Sequence, residues 1–194
     1  MEKIYRSPPY KFCPFCKENL TQEDPFRQKC MECGFIMYHN SSPCAGAVPI
    51  DENNRILLAK RGIEPFKDGW NIIGGFLEYG ENPMDGLKRE VKEETGVECE
   101  ITGLICMYAD TYGKNGPALI NMCFTVQLLS DNIQPLDDVA ELKWFELNNL
   151  PDNIPFESDR KALSELKKII NTSEHPTFNI ERPTSNKKPT SKIE

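Results

Sequence analysis

Four of the eight cysteines fall in two short pairs, Cys13-Pro-Phe-Cys16 and Cys30-Met-Glu-Cys33, with thirteen residues between the pairs. A C-x-x-C knuckle turns the backbone so that both thiolates point inward, and two knuckles complete a tetrahedral sulfur shell suited to Zn2+. Two disulfides are the alternative, which a reducing compartment disfavours. A closed four-sulfur shell leaves no open position, so this metal would hold the fold rather than do chemistry. His39 is close enough in sequence to be a spare ligand, but four thiolates already fill the shell. Cys44, Cys99, Cys106 and Cys123 are scattered through apolar segments and read as small buried hydrophobes.

A second set of residues could bind a different kind of cation. The stretch GGFLEYGENPMDGLKREVKEETGV, residues 74 to 97, with the residue after it carries Glu78, Glu81, Glu90, Glu93, Glu94 and Glu98. At about 100° per residue, Glu90 and Glu94 stack on one helix face with Glu93 in the same arc, while Met84, Leu87 and Val91 form an apolar stripe roughly 90° away. Judged on the helix alone, a solvated charged face is the ordinary reading, with Lys88, Arg89 and Lys92 relieving part of the repulsion. The Gly74-Gly75 pair just ahead argues for more, because glycine lets the chain turn tightly and expose carbonyl oxygens. Carboxylates together with a carbonyl suit a hard divalent ion such as Mg2+, which shares the oxygens of a phosphate substrate.

The elements that must position these groups follow from pattern. Asn82 and Pro83 make a helix start and Gly96 a stop, bracketing about thirteen residues. CAGAVPI and RILLAKR, separated by DENN, predict a hairpin. NIIGG, EITGLICMYADTY, ALINMCFTVQLL and LKWFEL predict further strands, and Leu163, Leu166, Ile169 and Ile170 recur at helical spacing over about 159–170. The division expected is a zinc unit over 1–40, a main domain over 41–170 and a flexible, polar, proline-bearing tail over 171–194.

The 194 residues carry a net charge of −7, which argues against nucleic-acid binding driven by the phosphate backbone. Lys11, Lys17, Arg27 and Lys29 lie near Phe12, Phe15 and Phe26, and we read them as a small core with solvated lysines. No run of 18 apolar residues could span a bilayer, and the N-terminal residues lack the apolar core of a signal peptide, so no membrane and a cytoplasmic location are expected.

Gly75, Glu81, Arg89-Glu90-Val91, Glu93-Glu94 and Gly96-Val97 match every fixed position of the Nudix box, and the chain resembles the Nudix hydrolases over about residues 44–170. The resemblance implies an α/β fold, an α/β/α sandwich around a mixed sheet, here preceded by a four-cysteine zinc ribbon. It implies that Glu90 and Glu94 are the main ligands of Mg2+ or Mn2+, that Glu93 is ligand or general base, that Gly75 lends a carbonyl, that Arg89 orients the carboxylates and that Glu81 braces the loop. The reaction implied is hydrolysis of a nucleoside diphosphate linked to another group, the metal neutralising the pyrophosphate. Asp138 and Glu141 are rival candidates for a downstream acidic helper, with a solvated loop position the simpler reading of Asp138.

A zinc ribbon ahead of such a domain is similar to the NADH pyrophosphatase group and to relatives acting on ADP-ribose or FAD. The Ser-Gln-Pro-Trp-Pro-Phe-Pro signature of NADH pyrophosphatases is absent, with DTYGKNGPALIN in that region, and Ile73 stands where a proline usually precedes the glycine pair. LPDNIPFES resembles plant-type FAD and ADP-ribose hydrolases. For the substrate, Arg61 is expected to contact phosphate and Tyr112 to stack on the base, with Phe76 beside the metal and Trp70 and Tyr108 as further aromatic candidates. The leading expectation is a dinucleotide or nucleotide-sugar pyrophosphatase. A hydrolase of damaged nucleoside triphosphates and a ribbon that binds nucleic acid or protein beside a ligand-sensing domain are the alternatives. Many family members form dimers, so the resemblance allows a homodimer, and a partner subunit is the next place to look for the base should it lie outside this pocket.

Overall fold

The computed structural model describes residues 10–113 and 116–172. Three short strands come first, β1 (Leu20–Asp24), β2 (Arg27–Cys30) and β3 (Ile36–Tyr38), forming their own antiparallel sheet. Seven more strands follow: β4 (Ser42–Pro49), β5 (Arg55–Arg61), β6 (Trp70–Asn71), β7 (Ile73–Phe76), β8 (Cys99–Thr111), β9 (Ala118–Leu128) and β10 (Val139–Glu146). They build two sheets of order β10-β5-β6 and β7-β4-β9-β8, the latter mixed because β4 and β9 run parallel. Helices α1 (Pro83–Thr95) and α2 (Glu157–Thr172) complete the chain.

The helices pack against separate cores. Leu87 and Val91 of α1 join Ala45, Ala47, Leu57, Ala59, Ile73 and Phe124, whereas Ala162, Leu163 and Leu166 of α2 join Val48, Ile56, Leu58, Ile72 and Cys123. Successive β5 residues therefore face opposite cores, the alternation a strand imposes. The result is the expected α/β/α sandwich. Its local signals act as read: Asn82 Oδ1 accepts from the Met84 N–H at 3.0 Å, Pro83 opens α1, and Gly96 closes it through its N–H to the Lys92 carbonyl. The polar tail expected over 171–194 lies outside the described residues apart from Asn171 and Thr172, which end α2.

The hairpin expected from β4 and β5 does not form. The turn is present, with Asp51 Oδ1 accepting from the N–H groups of Asn53 and Arg55, but only the isolated bridge between Ile50 and Ile56 links the two segments. Beyond it, β4 pairs with β7 and β9 while β5 pairs with β10 and β6. Both strands are buried on two faces, so each serves best as a middle strand of its own sheet.

Candidate active site

Where the two sheets part, between β6 and β7, a cleft of about 290 Å³ opens. Its lining includes Gly74, Gly75, Glu90, Glu94, Asp137 and Asp138. Gly74 has a φ of 139°, and a Cβ there would fall 2.2 Å from the Ala45 carbonyl oxygen, so only glycine lets β7 run this close to β4. At Gly75 a Cβ would come within 2.8 Å of both Glu90 carboxylate oxygens, so the carboxylate occupies the room the missing side chain leaves.

Arg89 organises the acidic groups. Its Nε donates to Glu81 Oε1 at 2.9 Å, Nη2 to Glu81 Oε2 at 2.9 Å and the Phe76 carbonyl at 3.2 Å, and Nη1 to Glu90 Oε1 at 2.8 Å and Glu93 Oε2 at 2.9 Å. The forked, bidentate contact to Glu81 is one that a lysine could not reproduce. Glu81 also accepts the Glu78 N–H, and these bonds, led by that with Arg89, hold its carboxyl down to about 2. Glu81 thus braces the loop in geometry as the sequence suggested. Glu93 is tied to Glu90 only through Arg89; it is exposed and lies outside the cleft lining.

Glu94 is 5% exposed. Its Oε1 accepts the Gly74 N–H at 3.3 Å, and its Oε2 is buried with no hydrogen-bond partner among the described residues. Burial pushes its pKa well above the usual carboxylate range, with the charges of Asp138 and Glu90 adding to the rise. Glu90 moves the same way, first by burial and then by Glu93 and Asp137, against the opposing pull of Arg89. Asp137 and Asp138 reach this place because the segment before β10 is sewn to the end of α1, Gln134 N–H to the Thr95 carbonyl and Leu136 N–H to that of Glu94. Asp138 is therefore a cleft residue rather than a solvated loop position, while Glu141 lies outside the lining and meets Lys60 at 3.5 Å.

Aromatic rings line the same cleft. Tyr112 lies near-parallel to Phe156 at 6.2 Å and meets Phe76 edge-on at 5.4 Å. Arg61, 8% exposed at the end of β5, lies over Phe156, donates to the Pro65 carbonyl at 2.7 Å and to the Tyr112 hydroxyl at 3.4 Å, and sits 4.0 Å from Asp138. Arg61, Tyr112 and Phe76 thus share the cleft with Gly75, Glu90 and Glu94. Trp70 and Tyr108 do not line it: Trp70 packs edge-on to Phe145, and Tyr108 lies under Lys161. Ile73, in the place of a proline, is fully buried in the α1 core.

Sequence reasoning missed Phe156, Asn121, Asp137 and Asp159, all of which line the cleft. Asn121 had a signal, an amide inside the apolar run of β9 between Leu119 and Cys123, with which it is in phase. Phe156 had one too, an aromatic beside Pro155 directly ahead of a helix.

Asp159 accepts the Ile72 N–H at 3.0 Å, the bond left open where the chain leaves β6 for β7. Burial, with Asp110 adding to it, pushes Asp159 up to about 7. A carboxyl that keeps its proton to higher pH when folded than when unfolded contributes stability fully below its unfolded pKa of about 3.9 and loses it as pH climbs toward 7. Metal-free protein should thus lose up to about 1.4 kcal/mol per pH unit across that window. Asp159→Asn should flatten the slope, because an amide oxygen still accepts from Ile72 and carries no charge. Melts recorded from pH 4 to 7 decide it, an unchanged slope in the variant being the adverse result.

At the other end of the chain, the sulfurs of Cys13, Cys16, Cys30 and Cys33 all lie within 4.8 Å of one another, at 3.6 Å for Cys13 with Cys33 and 3.4 Å for Cys16 with Cys30, and none is in a disulfide. Sulfurs on a tetrahedron with Zn–S bonds of about 2.3 Å would stand about 3.8 Å apart, so the residues fit zinc. His39 is outside the cluster and stacks on Tyr10. The ribbon phenylalanines do not form the small core expected of them: Phe12, Phe15 and Phe26 are 56%, 75% and 54% exposed. Among the described residues, the three short strands have no second layer to cover them.

A model of the NUDIX domain matches residues 41–166, more than half of the chain. The chain belongs to the Nudix family. It is 35% identical over 102 residues to an ADP-ribose pyrophosphatase of Methanocaldococcus jannaschii, covering 53% of this chain and 60% of that protein. It is 31% identical over 158 residues to the NAD-capped RNA hydrolase NudC of Vibrio vulnificus, covering 80% of this chain and 58% of that one. The chain therefore spans about 60% of the length of these curated relatives. The crystal structure of a NUDIX hydrolase from Nitrosomonas europaea superposes with a TM-score of 0.74 at 27% identity, covering 85% of this chain and 94% of that one. Among the described residues, no helix is long and apolar enough to cross a membrane. Gly75, Glu90 and Glu94 of the matched box line the cleft, while Glu81, Arg89 and Glu93 stand beside it.

Proposed function

We propose that this Nudix protein is a divalent-metal-dependent hydrolase that cleaves the pyrophosphate of a nucleoside diphosphate linked to another group, of the ADP-ribose or dinucleotide kind, releasing a nucleoside monophosphate. The observation that carries this reading is the buried, unpartnered Oε2 of Glu94 beside Glu90, in a cleft that Arg61 and Tyr112 also line. A buried carboxylate without a partner is costly, and a hard cation is the ligand that would satisfy it.

Glu90, Glu94 and the Gly75 carbonyl would hold Mg2+ or Mn2+, with Glu93 as a further ligand or as general base. Once bound, such an ion supplies charge for the pyrophosphate oxygens and acidifies a water. Arg89 fixes Glu90 and Glu93 in advance, so that no reorganisation is needed when substrate arrives. Asp138, inside the cleft, is a second carboxylate able to take the proton of the attacking water. Arg61, steadied by Pro65 and Tyr112, would meet phosphate, and the ring of Tyr112 the base. We also propose that the four cysteines hold a structural Zn2+ in a ribbon that ends near residue 40. The M. jannaschii and V. vulnificus relatives are named for ADP-ribose and for NAD-capped RNA, which supports an ADP-bearing substrate.

A panel of NADH, FAD, ADP-ribose, diadenosine polyphosphates and oxidised nucleoside triphosphates, run with Mg2+ and with Mn2+, tests the reading. AMP from the dinucleotides or from ADP-ribose is expected, and turnover of the triphosphates alone would overturn it. Tyr112→Ala should raise KM for the best substrate more than it lowers kcat, since stacking is shared by ground and transition states. An unmoved KM across the panel would place the base elsewhere.

A further inference from the structure

Asn121 sits midway along β9, on the strand face that also carries Leu119 and Cys123, and all three line the cleft. It lies between Cys44 on β4 and Tyr108 on β8. Its Nδ2 is buried and has no hydrogen-bond partner among the described residues. Native structures leave few such donors, because an amide shut away from water without an acceptor destabilises the fold, whereas an apolar residue of similar shape would not. Leu119, Cys44, Cys123 and Gly46 line the same cleft and offer its amide no hydrogen bond, and none of the polar lining residues Asn71, Ser158 and Asp159 bonds to it either. The proposed ligands of the cation and the proposed base-stacking tyrosine border the same cleft, so a nucleotide lying across it would turn its base toward this floor.

Resting on the hydrolase reading above, we propose that Asn121 reads the base of the substrate, and that the base it selects is adenine. With its amide turned half a revolution about χ2 so that Nδ2 faces the cleft, an asparagine matches the edge of adenine with two hydrogen bonds, donating to N7 and accepting from the 6-amino group. Hypoxanthine presents two acceptors on that edge and keeps only one of them. Asn121 is thus a specificity residue with no part in the bond cleavage.

The test compares ADP-ribose with inosine diphosphate ribose, with Mg2+ present, for the wild type, Asn121→Leu and Asn121→Ala. Wild type should favour ADP-ribose by about tenfold or more in kcat/KM. Both variants should raise KM for ADP-ribose by about tenfold while kcat moves by less than about threefold, and should bring the preference close to unity. AMP titrated calorimetrically without metal should bind the variants about tenfold more weakly than wild type. Asn121→Leu should melt no lower than wild type, since it removes an unpaired donor; if it fails to fold, Asn121→Ala decides. Variants that keep the wild-type preference, or that lose kcat equally on both substrates, overturn the assignment and leave Asn121 a structural or water-bound amide. A wild type that hydrolyses neither compound but cleaves a dinucleotide of the panel without preferring adenine overturns this inference alone, and one that cleaves no member of the panel overturns the hydrolase reading and this inference with it.

Discussion

Glu94→Gln is expected to lower turnover at least about a hundredfold while the protein stays folded. The amide keeps the shape of the carboxylate and can still accept the Gly74 N–H, but it removes the charge that would hold a cation. Burial and neighbouring acids already push this carboxyl toward its neutral form, so in metal-free protein the amide removes the cost of a buried charge and leaves in its place an unpaired N–H much like the unpaired O–H of the neutral acid. The two readouts should therefore part company: activity collapses, and the metal-free melting temperature at pH 7 stays level or rises. Near-normal turnover in a folded variant would remove Glu94 from the metal site. Collapse of activity together with the fold would show only that the side chain is structural.

The second large effect concerns the ribbon. Zinc in a closed thiolate shell contributes folding free energy directly, on the order of 10 kcal/mol in small zinc modules. Cys30 is fully buried, and it closes a turn through its carbonyl to the Gly34 N–H as well as facing Cys16. Cys30→Ser, or prolonged chelation, should therefore unravel β1–β3 and open that stretch to proteolysis, with hydrolysis impaired only as far as the rest of the chain is loosened. Metal analysis should find one zinc per chain in protein purified without chelator. Finding none, with β1–β3 still protease-resistant, would mean that the sulfurs gather for another reason.

What the sequence made legible was local in cause. The bounds of α1 follow from Asn82, Pro83 and Gly96, each acting within one turn of itself, and the gathering of Glu90, Glu93 and Arg89 follows from the pitch of that helix. The two knuckles announced their sulfur cluster by spacing alone. What stayed hidden depends on partners far along the chain. The hairpin of β4 and β5 was a reasonable inference from DENN, but strand pairing is decided by β7, β9 and β10, which lie tens of residues away. The choice between Asp138 and Glu141 could not be made until the segment before β10 was seen fastened to α1. Asn121 and Phe156 became cleft residues only once β9 and the head of α2 met at the parting of the two sheets.

The hydrogen bond from Ile72 to Asp159 has one more consequence. Ile72 lies between β6 and β7, and its amide proton is secured by a helix that begins 85 residues later. Phe156, Ser158 and Asp159, at the head of that helix, also border the cleft. Hydrogen exchange at this one amide is therefore a gauge of whether α2 is seated, and a guest in the cleft that braces the head of α2 would register there as slower exchange without touching the proton itself.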